Sequence, residues 1–147
     1  MPTVSVDLTI AAPPASVWEQ VKDVEAYPQF MDNVRSVEIV DGGDGTTRTT
    51  RWSTLLKGSV LEWTEVETID DGALWIEFHQ LDGDLDLFDG HWQLTAVSDR
   101  ETRVELSVAF EIGIPLLAEM LNPVATRALK GNSESMLLEI EARVAAS

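Results

Sequence analysis

The chain has 147 residues, enough for one domain with its own core, and carries 26 Asp and Glu against 10 Lys and Arg, a net charge of −16. That charge repels phosphate backbones and anionic headgroups, which argues against nucleic acid as a partner. The absence of cysteine excludes a disulfide framework, a thiolate metal site and a cysteine nucleophile. No apolar run approaches the roughly 20 residues of a membrane span and no basic, apolar leader precedes the first strand, so a cytoplasmic protein without membrane insertion is expected.

Val4, Val6, Leu8 and Ile10 alternate with Ser5, Asp7 and Thr9, the period of a half-buried strand. Pro13 and Pro14 stop it, and Pro14 suits the first position of a helix, where its missing N–H costs nothing. Val17, Trp18, Val21 and Val24 recur at helical spacing until Tyr27-Pro28, with a second short helical turn beyond. Val34, Val37, Ile39 and Val40 suggest a strand ending in the turn Asp41-Gly42-Gly43-Asp44-Gly45. Residues 46–54 read as its hairpin partner, Lys57-Gly58 as a turn, 60–69 as a long strand and Asp70-Asp71-Gly72 as another hairpin turn. A strand over 73–80, an acidic loop over 81–86 and a strand over 88–97 follow. After the turn at 98–100, residues 102–112 give the clearest alternation in the chain, with Val104, Leu106, Val108, Phe110 and Ile112 on one face. Gly113 and Pro115 open a long helix whose stripe is Leu117, Leu121, Val124, Ala128, Leu129, Met136, Ile140 and Val144, with Asn122-Pro123 as a point of kinking or restart.

Consecutive strands joined by hairpin turns, with one long amphipathic helix, argue for an α+β fold in a single domain spanning 1–147. A curved sheet and a helix that bury their apolar faces against each other leave space between them for a ligand.

Four places carry a family resemblance: Ala12 to Trp18 with Val24 to Met31; Gly58-Ser59-Val60-Leu61-Glu62-Trp63; Phe88-Asp89-Gly90-His91-Trp92; and Asn132 with Met136 on the last helix. In this order and spacing the chain resembles the helix-grip (START/Bet v 1-like, SRPBCC) superfamily, in its polyketide cyclase/dehydrase and coenzyme Q-binding branch. The resemblance implies a curved antiparallel sheet of about seven strands around a long C-terminal helix, with two short helices after the first strand. It implies an apolar ligand: either a poly-β-ketone whose ring closure and dehydration are promoted, as in aromatase/cyclases of antibiotic biosynthesis, or a lipid or quinone that is only carried. A small-molecule-dependent interaction protein is a third option. The substrate of a cyclase could be presented on an acyl carrier protein, and a monomer or homodimer is expected.

Over 60–68 one face holds Leu61, Trp63, Glu65 and Glu67 and the other Val60, Glu62, Thr64, Val66 and Thr68; hydrophobicity does not choose between them. The resemblance turns the first face inward and, with it, depicts a cavity walled by Trp52, Leu61, Trp63, Ile76, Phe78, Phe88, Trp92, Asn132 and Met136. Tyr27, Phe30 and Met31 would form its rim. Glu65 and Glu67 depart from the family pattern, since many cyclases carry a small polar residue and an arginine there. Two inward carboxyl groups would raise at least one pKa and supply an acid/base for enolisation and dehydration; the alternatives are that both lie on the convex wet face, or that they pair with Arg48 or Arg51 across the hairpin. His79 is a further acid/base candidate, and Arg48 and Asn132 are candidates to polarise carbonyls. Trp75 shares a face with Glu77 and His79 and is assigned to the outer face or an interface. Two histidines without metal-ligand spacing imply no zinc site. The Asp82, Asp84, Asp86 cluster has Leu87 and Gln93 where a calcium loop needs glycine and glutamate, and reads as a solvated loop. No cofactor is implied.

Overall fold

The computed structural model describes residues 2–56, 59–113 and 115–146, and the side chains of 115–119 lie outside the described set, as does the expected turn at Lys57-Gly58. Strand β1 (Thr3–Ile10) leads into helix α1 (Pro14–Lys22), a single 3-10 turn (Val24–Ala26) and the one-turn helix α2 (Tyr27–Phe30). Then come β2 (Val34–Asp41), β3 (Thr47–Leu56), β4 (Ser59–Asp70), β5 (Trp75–Gly83), β6 (Leu87–Ser98), β7 (Glu101–Glu111) and the helix α3 (Pro115–Ala145). The seven strands form one antiparallel sheet in the order β1-β7-β6-β5-β4-β3-β2, so the first and last strands are neighbours. No described helix is long and apolar enough to cross a membrane.

Local chemistry fixes the joints. Pro13 caps α1 in an extended conformation and Pro14 begins it, while Val17, Trp18 and Val21 bury its inner side. The Trp18 indole N–H donates to Asp71 Oδ1 at 2.8 Å, which ties α1 to the β4–β5 turn. Thr102, fully buried, donates its hydroxyl to the Ala12 carbonyl at 2.9 Å and closes β7 against the chain leaving β1. Leu74, at the end of the β4–β5 turn, has a φ of 53°, an unusual conformation for a residue with a branched side chain.

Three expectations need correction. The strand expected over 73–80 begins at Trp75 and runs to Gly83, so half of the expected acidic loop is strand. Leu81 is an extra residue there: Thr64 pairs with Asp82 and Glu65 with Gln80, and the unpaired Leu81 turns to solvent. Gly83 permits the pairing with Trp63, because a Cβ on it would lie 2.5 Å from Trp63 Cβ. Leu117 lies outside the described side chains; among the described residues of the expected stripe, burial begins at Ala128 and includes Leu129 and Ile140, whereas Leu121 and Val124 are 43% and 53% exposed. A helix buries its stripe only where other elements lie beneath it, and periodicity does not report how far they extend. Pro123 neither ends nor restarts α3, which runs through it.

Candidate functional site

The strands present a concave face to α3, and on that face the alternation of β4 is settled. Leu61, Trp63, Glu65 and Glu67 are all buried, and Glu65 and Glu67 are only 3% and 2% exposed. Trp52 of β3 pairs directly with Trp63 of β4, and their rings stack at 5.6 Å and 5°. Trp63 then meets Phe88 of β6 at 4.7 Å, and Phe88 meets Phe78 of β5 at 6.2 Å. These rings, with Leu61, Trp92, Leu106 and Val108, make the sheet side of an internal cavity of about 50 Å³. Leu129, Asn132, Ser133 and Met136 of α3 form its lid. Thr54 and Glu65 are the polar groups on the sheet side.

The carboxyl groups belong to one buried network. Trp63 Nε1 donates to Glu65 Oε1 at 2.6 Å. Glu67, two residues on, is held by Arg48 Nε at 2.6 Å and by the Thr50 hydroxyl at 2.9 Å, and Thr50 in turn accepts from Trp52 Nε1 at 2.8 Å. Burial pushes the Glu65 carboxyl well above the usual carboxylate range, and hydrogen bonding to Glu67 and its charge push it the same way. Glu65 is therefore the carboxyl of the pair whose proton the site favours, while Glu67 is the one held by Arg48. The two sequence alternatives, inward carboxyl groups and a pair with Arg48, are both realised, because β3 and β4 register Arg48 directly opposite Glu67.

The other candidates fall into three groups. Trp52, Leu61, Trp63, Glu65, Phe78, Phe88, Trp92, Asn132 and Met136 line the cavity. Arg48, Glu67 and Ile76 do not: Arg48 and Glu67 lie behind Glu65, and Ile76 is packed core at 2% exposure. The Arg48 guanidinium is thus committed to Glu67 and does not face a carbonyl in the cavity. His79 is corrected outright. Ile76 and Phe78 take the inner face of β5, so His79 points outward, is 57% exposed and contacts Glu77 and Asp89 at 3.6 and 3.4 Å.

Tyr27 and Met31 are likewise core and not rim. Tyr27 is fully buried, donates its hydroxyl to the Val21 carbonyl at 2.6 Å, and meets Trp52 and Trp92 edge-on at 5.7 and 6.4 Å. It braces the aromatic wall from behind. Phe30 is half-buried under the Arg143 guanidinium. Trp75 stacks on His91 at 4.2 Å on the outer face, as its alternation required.

Sequence reasoning missed Thr54, Leu106, Val108, Leu129 and Ser133 as cavity residues. Leu106 and Val108 were legible as the inner face of β7, and Thr54 continues the inward series Thr50, Trp52. Ser133 carries no signal of its own.

A second, open groove of about 390 Å³ adjoins the cavity between the end of β3 and α3, lined by Asn33, Leu55, Leu56, Arg127, Gly131 and Ser135 among others. Asn132 lines both spaces, and its Oδ1 is buried without a hydrogen-bond partner among the described residues.

A seven-stranded antiparallel sheet gripping a long terminal helix over an aromatic cavity defines a START/Bet v 1-like helix-grip protein. Residues 10–137 match the family described as "Polyketide cyclase / dehydrase and lipid transport", and the chain belongs to it. It is similar to TTHA0849 from Thermus thermophilus, at 32% identity and a TM-score of 0.91 over 99% of this chain and 98% of that one. An aromatase/cyclase from Streptomyces shares the fold, at 23% identity and a TM-score of 0.87 over 97% and 93% of the two chains. The ribosome association toxin RatA of Pseudomonas aeruginosa is 26% identical over 117 residues, 79% of each chain.

Proposed function

We propose that the protein, acting as a single ligand-binding domain, takes an apolar, polyketide-like or aromatic molecule into the cavity and promotes its cyclisation and dehydration, with Glu65 as the acid/base. The observation that carries this reading is a buried carboxyl in an otherwise largely apolar aromatic wall, held by Trp63 from one side and facing Glu67 on the other, where burial favours its proton. An enol carbon of the folded chain attacks a carbonyl carbon, a C–C bond forms, and the carbonyl oxygen takes the Glu65 proton, while the enol oxygen gives its own proton to the resulting carboxylate as its C=O bond forms. In the dehydration the new hydroxyl departs as water with the Glu65 proton, and the carboxylate removes a proton from the adjacent carbon as the C=C bond forms, so Glu65 ends as it began. Positioning by the stacked Trp52 and Trp63 supplies much of the acceleration. The substrate would arrive free or on an acyl carrier protein.

The test is Glu65→Gln assayed with a linear β-polyketone. The amide keeps the Trp63 hydrogen bond, so binding persists while ring formation falls about 100- to 10,000-fold, the usual weight of general acid–base catalysis. Unchanged turnover removes Glu65 from the chemistry.

The second reading is a carrier of a lipid or quinone, favoured by a wall that is apolar except at Glu65, Thr54, Asn132 and Ser133. Native mass spectrometry of freshly isolated protein separates the two: a co-purified prenylated quinone supports carriage, and a linear or cyclised polyketide supports catalysis. The −16 charge weighs against a direct contact with ribosomal RNA.

A further inference from the structure

The open groove beside the cavity has a character that the cavity lacks. Its walls mix Leu55 and Leu56 with Asn33, Ser135 and the guanidinium-bearing Arg127. Lys22, Arg48, Arg51 and Arg103 are paired with carboxylates. Arg127 is exposed and, like Arg35, Arg100 and Lys130, has no ion-pair partner among the described residues; of these four it alone lines the groove. It borders the space that Asn132 joins to the cavity. The cavity offers about 50 Å³ and the adjoining groove about 390 Å³, so a ligand longer than the cavity extends into the groove.

We propose that the groove is a head-group subsite, in which Arg127 holds a carboxylate or phosphate while the attached apolar tail passes Asn132 into the aromatic cavity. This assigns the ligand to amphipathic anions and rests on the cavity being the binding site. A guanidinium suits such a head because its fork of N–H donors matches two oxygens at once. The acidic surface repels an approaching anion, but that repulsion is screened over about 8 Å at physiological salt; the exposed Arg127 contact is weakened by salt as well, so binding of an anionic head falls as ionic strength rises.

The experiment is calorimetric titration of the whole protein with dodecanoate, dodecyl phosphate and dodecanol, each below its aggregation limit. Arg127→Gln is compared with Arg127→Lys and with Arg100→Gln, which makes the same charge change in the β6–β7 turn, outside the groove. Expected is a roughly tenfold loss of affinity for an anionic probe in Arg127→Gln, little change for dodecanol, partial retention in Arg127→Lys, and no change in Arg100→Gln. The tighter of the two anions names the head group. If Arg127→Gln weakens anion and alcohol alike, or neither, the subsite is wrong while the cavity reading stands. If no probe binds the unaltered protein, the subsite is wrong, while the cavity reading stands or falls on the linear β-polyketone assay.

Discussion

Trp63 and Glu65 lie two residues apart on the inner face of β4, and the indole N–H of one donates to the carboxyl of the other at 2.6 Å. The bond settles which way the acid points. It fixes the carboxyl against the ring that stacks on Trp52, so the proton-bearing group and the aromatic platform are one assembly. A strand supplies this geometry readily, because its side chains at i and i+2 share a face.

The raised Glu65 pKa makes stability depend on pH in a defined direction. The folded chain keeps the Glu65 proton at a pH where the unfolded chain, near the ordinary value of 4.5, has released it. Stability from this group is therefore complete below that value and is lost as pH rises toward the folded pKa. Glu65→Gln removes the titration. Thermal melts from pH 4 to 9 should show the variant gaining on the unaltered protein as pH rises, while the shared carboxylates move both curves together. Parallel curves would exclude a raised Glu65.

Arg48 holds the other half of the cluster. Arg48→Met leaves the Glu67 carboxylate buried beside Glu65, with the Thr50 hydroxyl and the Glu65 carboxyl as its hydrogen-bond partners and no cation. Breaking one side of a buried ion pair costs about 3–5 kcal/mol. Urea unfolding should show a loss of that order, and adding Glu67→Gln to Arg48→Met should recover much of it, since no buried charge then remains. A double variant weaker than Arg48→Met by the full cost of Glu67→Gln would mean the two residues act independently.

Much of this organisation was readable in the sequence, and for identifiable reasons. The alternation of Val104, Leu106, Val108 and Phe110 marks a strand with one wet face, and it lies where it was expected. The inner face of β4 was unreadable because Glu65 and Glu67 put charge on the buried side while Val60 and Val66 put apolar groups on the outer one; only the partner strand, with Arg48 and Thr50 in register, makes burial affordable. His79 and Tyr27 failed for the opposite reason. Each was judged by its chemical capacity, and the pleat of β5 and the packing behind Trp52 decided where each went. The extra residue Leu81 left no mark in the sequence, since a single unpaired position does not disturb the turn signals around it.

The aromatic wall sets what enters. Phe88 touches both Trp63 and Phe78 and lines the cavity. Phe88→Ala should cost about 3–5 kcal/mol in denaturant unfolding, the usual range for a buried phenylalanine. The space it leaves should admit bulkier ring systems, which competitive titration with two- and three-ring aromatics would report as a shift of preference toward the larger. A preference unchanged by the variant would show that the ligand does not lie against Phe88.

Gly90 completes the wall by what it lacks. It sits on β6 between the inward residues Phe88 and Trp92 and pairs directly with Phe78 of β5. A Cβ there would overlap the Ser107 carbonyl oxygen of β7 and come within 2.7 Å of the Phe78 ring. The missing side chain thus lets β7 approach closely and lets Phe78 lie flat over the strand. Gly90→Ala must displace both: β7 has to shift at Ser107, and the ring should tilt into the cavity. The expected result is a destabilisation of about 1–3 kcal/mol, typical of overpacking, together with weaker binding of an apolar probe. Pairing it with Phe78→Leu should recover part of the binding by relieving the ring contact, while the stability loss from the Ser107 overlap persists. If Gly90→Ala alone leaves both stability and affinity unchanged, the close approach of β6, β7 and Phe78 does not shape the cavity.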